Sequence, residues 1–335
     1  MPESGEIPMR RTSGPRQLWL ALWTIAISLV PALSTAQDYP NRPVRIVVPA
    51  APGGSLDAVA RIIAQQLSEQ WPVRVYVDNR GGAAGNVGAG SVAKADPDGY
   101  TLMVWNDTLL INPALFKEVP FDPKRDFTPI SLAMYSPNIL VAHPSTNFKT
   151  FADFVKAARA NPGKLSHASP GNGSSGHLSF EILKSLSKLD VLHIPYRSAG
   201  PAVIDMVAGQ VPLGMVSVPG AISHVKAGAL VGLAVTSRER VKALPDVPTI
   251  AEAGVSDYQI SAFHGVFGPP GMPSAIVARL EKDIGAAWAS PDVQKKLIDL
   301  GFDPVAGAGA DLAKIIDRDL PVWRDFVIKS GAKIE

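Results

Sequence analysis

The chain has 335 residues, 46% of them apolar and 19% charged, enough for a sizeable core and two ordinary domains. It contains no cysteine, which excludes disulfides, thiolate metal sites, iron–sulfur clusters and cysteine nucleophiles. The formal net charge is only +2, and no basic run follows the N-terminal region, so nucleic acid finds no electrostatic footprint.

At the N-terminus, Arg10, Arg11 and Arg16 precede an apolar run over residues 18–30, which Pro31 breaks. Small residues follow at Ser34 and Ala36. This pattern predicts a secretory signal over residues 1–36, cleaved after Ala36, and hence a periplasmic mature chain. The apolar run is short for a bilayer span. The Arg10-Arg11 pair hints at twin-arginine export, although Thr12-Ser13-Gly14 follows it in place of an apolar pair. Cleavage would remove three arginines and two glutamates and leave a nearly neutral chain with no later segment apolar enough to cross a membrane.

Beyond the signal, strand and helix patterns alternate. "VRIVVPA" reads as a strand, followed by a glycine turn and an amphipathic helix over 56–70 with Leu56, Val59, Ala60, Ile63 and Leu67 on one face. Strands over 73–79 and 100–106 follow, separated by "RGGAAGNVGAG", a short helix carrying Val92 and Ala93, and a turn at 96–99. After "NILVAHP" come a helix over 151–160, the strand "KLSHAS", a helix over 177–186, the strand "VLHIPY", a helix over 201–208, and the strands "VPLGMVSV" and "LVGLAVTS". Three helices, over 274–290, 291–301 and 311–331, close the chain. The alternation predicts an α/β protein of two units, each a mainly parallel sheet flanked by helices. The expected division is residues 37–138 plus 256–335 for domain 1 and 139–255 for domain 2, joined through 135–142 with a return within 236–267.

Two stretches share one design. "RIVVPAAPGGSLDAVARII" and "KLSHASPGNGSSGHLSFEILKSL" are each a strand, an uncharged Pro-Gly turn and an amphipathic helix. Such turns lie at the carboxyl ends of parallel strands, where ligands bind, and a helix N-terminus offers unpaired N–H groups and partial positive charge to an anion. One turn per domain suits a small carboxylate gripped from both sides. A charge-assisted hydrogen bond contributes about 1.5–3 kcal/mol. Four or five, less the cost of immobilisation, approach the roughly 8 kcal/mol of micromolar binding. Polyphosphates usually recruit Lys or Mg²⁺, which these turns lack. The plainer alternative is simple helix capping, with Ser55 as N-cap and Asp57 favouring the first-turn dipole. "NRGGAAGNVGAG" is similar but is also explained by close helix packing.

Two other chemistries compete. Gly171, Gly173 and Gly176 satisfy G-x-G-x-x-G between strand and helix, as in an NADP-dependent oxidoreductase, with Arg197 beyond the next strand. Ser174 and Ser175 resemble a nucleophile elbow but miss G-x-S-x-G by one position. The six histidines show no metal-ligand spacing. His177 stands out because it opens a helix beside the glycine turn. Asn106 ends its strand, Tyr196 ends another, and Asp205 lies on the following helix, so each could line a cleft or serve packing.

The blocks "YPNRPVRIVVPAAPGGSLDAVAR", "ADPDGYTLM", "SPGNGSSGHLSFEIL", "HIPYRSAGPAVIDMVAGQV", "LAVTSRERVKALPDVPTIAEAG" and "FGPPGMP" occur in the order seen in the Bug family. The chain thus resembles the periplasmic substrate-binding proteins of tripartite tricarboxylate transporters over essentially its whole mature length. The resemblance implies a two-domain periplasmic binding protein of Venus-flytrap, type II-like fold, not an enzyme and without a cofactor or metal. It implies capture of a di- or tricarboxylate, or a related organic or amino acid, by a monomer serving a permease of one large and one small integral subunit. A ligand-sensing receptor for a signalling partner has the same sequence signature. Carried over, the ligand contacts are Ala51, Pro52, Gly53, Gly54, Ser55 and Asp57; Ser169, Gly171, Asn172, Ser174, Ser175 and His177; and Tyr196, Ala199, Gly200 and Asp205, with Asn106 from the intervening strand. The chain departs from the family where Ala50 or Ala51 replaces an aromatic residue and Arg197-Ser198 replaces a Lys-Gly pair.

Overall fold

A computed structural model describes Met1, residues 39–258 and residues 262–330, so the expected signal segment lies outside the described residues. From Pro40 onward the elements are β1 (Val44–Val48), α1 (Ser55–Gln70), β2 (Val75–Asn79), α2 (Asn86–Ala93), β3 (Thr101–Asn106), α3 (Thr108–Leu115) and β4 (Thr128–Tyr135). Next come β5 (Asn138–Ala142), α4 (Phe151–Ala160), β6 (Ser166–Ser169), α5 (Ser175–Ser187), β7 (Leu192–Pro195), α6 (Ala199–Val207), β8 (Leu213–Ser217), α7 (Val218–Lys226) and β9 (Val231–Val235). The chain then forms β10 (Phe263–Gly268), α8 (Ser274–Ala289), α9 (Pro291–Asp299), β11 (Asp303–Ala308) and α10 (Gly309–Ser330).

These strands make two sheets, one ordered β11-β4-β10-β3-β1-β2 and the other β7-β6-β8-β5-β9. The β-α-β portions pair in parallel: β1 with β2 and β3 in the first lobe, β6 with β7 and β8 in the second. Antiparallel pairs appear where the chain changes lobes, since β10 enters against β3 and β4, and β5 enters against β8 and β9. A strand arriving from the other lobe starts at the edge where the parallel strands end, so it must run against them. Each sheet is therefore mixed while most of its strands point the same way.

The register defines the shared edges. Asn106 stands opposite His264, and Tyr135 opposite both Phe263 and Asp303. In the second lobe, Ser169 stands opposite Pro195, and Asn138 opposite Ser217. The two crossing segments, from β4 to β5 and from β9 to β10, leave and enter at these edges. The carboxyl ends of β1, β3 and β6 therefore look into the space between lobes.

Burial follows the sequence pattern. β1 is nearly continuous in apolar residues because helices cover both faces of its parallel sheet. Leu56, Val59, Ala60, Ile63 and Leu67 of α1 are all buried, as their spacing predicts. Trp105, Phe121, Phe127 and Phe267 form an edge-to-face chain with centroids 5.5, 5.6 and 6.2 Å apart. The second lobe centres on Ile139, Val141, Met206, Val216 and Val235. Helix α10 packs on α3 and β4 and also reaches α5 of the second lobe, burying Trp323 and Val327.

Three elements fall outside the sequence patterns. Helix α3 is apolar on most sides and contains Pro113, so it has no amphipathic stripe. Helix α7 starts at Val218, where a strand was expected to continue, because Pro219 sits in the first turn, where its missing N–H costs nothing. Strand β11 is bulged between Pro304 and Gly307, with Ala306 at φ 54°, which breaks its alternation.

Gly176 lets α5 lie directly on β8, since a Cβ there would press into the Met215 carbonyl. Gly176→Ala is therefore expected to destabilise the protein by about 1–3 kcal/mol, read from the urea unfolding midpoint.

Candidate functional site

The first-lobe turn connects β1 to α1. Gly54 is the N-cap, with φ −83° and ψ 174° and no side-chain cap, so Ser55 does not cap as expected. It is the first helical residue, and a hydroxyl there is past the position that can reach back to the N2 or N3 amide. The N–H groups of Gly54 and Ser55 have no acceptor among the described residues. Ala51, Pro52, Gly53, Gly54 and Ser55 are all exposed.

Asp57 is placed differently, only 4% exposed and behind the turn. Its Oδ2 accepts from Gly53 N at 2.9 Å and from Arg61 Nε at 2.9 Å, while its Oδ1 accepts from Asn79 Nδ2 at 3.0 Å. Burial opposes its ionisation, but the hydrogen bonds from Arg61, Gly53 and Asn79 outweigh that and hold the carboxyl below its usual range. Asp57 shapes the turn, and Gly53 at φ 86° permits the inward amide.

Close packing accounts for part of "RGGAAGNVGAG". A Cβ at Gly85 or Gly88 would meet Pro49, the first residue of the β1–α1 turn, at 2.8 or 3.0 Å. Between them and β2, Ala83 and Ala84 adopt φ 46° and 52°, a conformation that costs a non-glycine residue about 1 kcal/mol or more. Asn112 fixes this segment by donating to Ala84 O at 3.0 Å and Asn86 Oδ1 at 2.6 Å. Sequence patterning gave no signal for Asn79, Arg61 or Asn112, because each acts through a partner distant in the chain or one turn away.

The second-lobe turn connects β6 to α5 and repeats the same device. Gly173, at φ 74°, donates its N–H to His177 Nδ1 at 3.0 Å, four residues ahead, as Gly53 does to Asp57. Ser174 is the N-cap, its hydroxyl accepting from His177 N at 3.2 Å. Ser169 is fully buried; its Oγ receives Gly171 N at 3.2 Å and lies 2.6 Å from His193 Nε2. Ser175 receives Asn138 Nδ2 at 3.4 Å, tying the helix start to the crossing segment. Asn172 is exposed at the tip. Each glycine of the G-x-G-x-x-G pattern has a local reason: Gly171, at φ 130°, faces the Tyr196 carbonyl, Gly173 faces Leu115 of α3, and Gly176 faces β8.

Behind this turn the rings of Phe180, His167, His193 and His177 form a stacked column with successive centroids 3.6, 4.9 and 4.0 Å apart. Both ring nitrogens of His167 lack a partner. Burial pushes His177 and His193 down to about 4, with Lys184 adding to the effect on His177 and His177 to that on His193. His167 is held well below its ordinary 6.5, again first by burial.

Beside it, α6 begins with no side-chain cap at Ser198, and Gly200 has open space around it. Tyr196 N donates to Ser169 O at 3.0 Å, which joins this turn to the β6 turn. The Tyr196 hydroxyl donates to Asp205 Oδ2 at 2.7 Å; burial and this carboxylate raise the phenol to about 12. In the first lobe, Asn106 Oδ1 accepts Thr108 N at 3.2 Å at the entry to α3.

Thus Ala51–Asp57 form one group in the first lobe, and residues 169–177, Tyr196, Ala199, Gly200 and Asp205 form another in the second. No hydrogen bond joins the two groups among the described residues. Leu115 of the first lobe packs against Gly173 of the second.

Residues 59–331 match the model of the tripartite tricarboxylate transporter family receptor, TctC. The chain belongs to this family. A relative from Pseudomonas sp. strain P51, a UPF0065 protein from the tcbD-tcbE intergenic region, is 39% identical over 91% of this chain and 92% of its own. The R. palustris protein Rpa4515, solved with adipate, superposes with a TM-score of 0.78 at 33% identity, covering 88% of this chain and 99% of its own. MatC from Rhodopseudomonas palustris, solved with malate, superposes at 0.74 with 33% identity, covering 86% and 100%. The resemblance to Bug proteins is borne out, and the two mixed sheets are those of a two-domain periplasmic binding protein.

In this TctC receptor the histidine column makes the second turn pH-sensitive. The unfolded chain takes up protons as pH falls through about 6.5, whereas His177 and His193 resist protonation until about 4. Stability is full above 6.5 and declines as pH falls towards 4, because the unfolded state binds more protons there. The loss from Asp57 begins only at lower pH, below the ordinary 3.8. Urea midpoints are expected to fall between pH 7.5 and 5, and less steeply in His193→Gln, which retains a partner for Ser169.

Proposed function

We propose that the mature chain captures a small carboxylate between its lobes and delivers it to a membrane transporter. The observation that carries this is the pair of uncharged turns at which the N–H groups of Gly54 and Ser55, and of Ser175 and Gly176, have no acceptor among the described residues. Backbone donors there hold a carboxylate without Lys or Arg, and the rest of the molecule supplies their positions. The neighbours solved with adipate and malate support this ligand class. Ala51 to Ser55, Asn106, Asn172, Ser174, Ser175, Ala199 and Gly200 contact the ligand; Asp57, Ser169, His177 and the Tyr196–Asp205 pair hold the contacts in place. The lobes are residues 37–138 with 256–335, and 139–255. The protein works in the periplasm as a monomer after cleavage at Ala36, does no catalysis, and serves a permease of one large and one small integral subunit.

Titration with mono-, di- and tricarboxylates and NADP tests the ligand class, with stabilisation of about 2.7 kcal/mol expected at a hundredfold excess of a cognate acid over its dissociation constant. Stabilisation by NADP alone overturns the proposal. Ser55→Pro tests the mechanism. Proline is welcome at the first helical position, and Gly54 before it is already extended, so the fold is retained. One donor is lost, and affinity should fall about tenfold or more relative to Ser55→Ala. Equal affinities would show that this amide does not hold the ligand.

A further inference from the structure

At the β11–β4 end of the first sheet, far along the edge from the α1 turn, lies a cavity of about 180 Å³. Its walls are Tyr135, Asp303 and Arg318 from the first lobe and Ser237, Arg238 and Glu239 from the segment that follows β9. An apolar cavity of about 150 Å³ holds benzene, so this one admits a molecule of similar or slightly larger size.

One of its polar groups is buried without a partner, and others are free to meet an occupant. Ser237 is 8% exposed and its Oγ has no partner. The Tyr135 hydroxyl, Arg238 and Glu239 make no hydrogen bond or ion pair among the described residues. Arg318 is occupied by Asp319, with Nη2 to Oδ2 at 2.7 Å, and Asp303 is only loosely paired, 3.8 Å from Lys242 Nζ. The lining thus carries two cations and two anions. Burial raises the Tyr135 phenol, with Arg318 and Arg238 opposing and Asp319 and Asp311 adding to it, and burial raises the Asp303 carboxyl, with Lys242 opposing and Glu239 adding. Tyr135 and Asp303 are directly opposed on adjacent antiparallel strands, their Cβ atoms roughly 4.5–5.5 Å apart. A simple anion would meet Asp303 and Glu239, and a simple cation would meet the arginines. A molecule with both charges finds a partner for each.

We propose that this cavity is a second binding site, taking a small zwitterion of amino-acid size with its carboxylate at Arg238, Tyr135 and Ser237 and its ammonium at Asp303 and Glu239. The site is distinct from the cleft between the α1 and α5 turns and does not rest on the function assigned to that cleft. Its walls belong to both crossing segments, so an occupant is coupled to any rotation of the lobes, and coupling between the two sites is reciprocal.

Calorimetric titration of the full mature chain with alanine, β-alanine and proline, beside propionate and propylamine, tests this. Saturable binding of at least one amino acid is expected, weakened about tenfold or more by Arg238→Ala and by a smaller factor in Tyr135→Phe, and unchanged in Ser55→Pro. Arg238 is exposed, so its removal leaves the fold intact. The proposal is overturned if no amino acid binds, if Arg238→Ala weakens propionate or propylamine binding as much as amino-acid binding, or if binding is lost in Ser55→Pro but kept in Arg238→Ala. Carboxylate binding in the cleft has the opposite sensitivity to these two variants, so failure of either assignment is read separately.

Discussion

In each lobe a glycine amide at positive φ turns inward and is held by a side chain four residues ahead, Gly53 by Asp57 and Gly173 by His177. In the first lobe the next amides, Gly54 and Ser55, have no acceptor among the described residues; in the second, Ser174 N is taken by Gly171 O and the open amides are those of Ser175 and Gly176. Unpaired donors are costly when buried, and the turns avoid that cost by opening onto the space between lobes. In the proposed function, a ligand supplying oxygen atoms completes what the backbone leaves open.

The acceptors differ for a physical reason. Asp57 is anionic, gathers donors from Arg61 and Asn79, and stays charged because those donors compensate its burial. His177 lies in a ring stack and is neutral, since burial disfavours its cation. The first-lobe turn is thereby insensitive to pH over the range in which the second-lobe turn begins to lose support. The turns over 49–55 and 169–175 carry no cationic side chain, so the carboxylate binding proposed above rests on dipoles there rather than on an ion pair.

Two segments cross between the lobes, and both carry polar side chains. Asn138 spans Ser175 and Ser179 of α5, and its N–H donates to Thr236 on the other crossing segment at 2.9 Å. Tyr135 and Ser237 to Glu239 open instead into the cavity behind. The same backbone crossing therefore separates two polar chambers, one built from amides and one from side chains.

The alternation of strands and amphipathic helices was legible in the sequence because burial on one helical face or throughout a parallel strand leaves a periodic apolar record. The helix over 151–160 and the stripe on α1 are direct cases. The paired glycine turns were also legible, since positive φ and close packing demand glycine at fixed places. Helix α3 and bulged β11 were not, because a helix apolar on most sides and a strand interrupted by Pro304 and Gly307 leave no period. Nor did spacing distinguish exposed turn residues from buried ones: Asp57 and Ser169 read like their exposed neighbours, and the fold buries both. Local sequence determines where a helix starts and which face it hides. Which donors are left over, and which distant side chain consumes the rest, depends on contacts such as Asn79 to Asp57 and His193 to Ser169, and only the folded chain decides those.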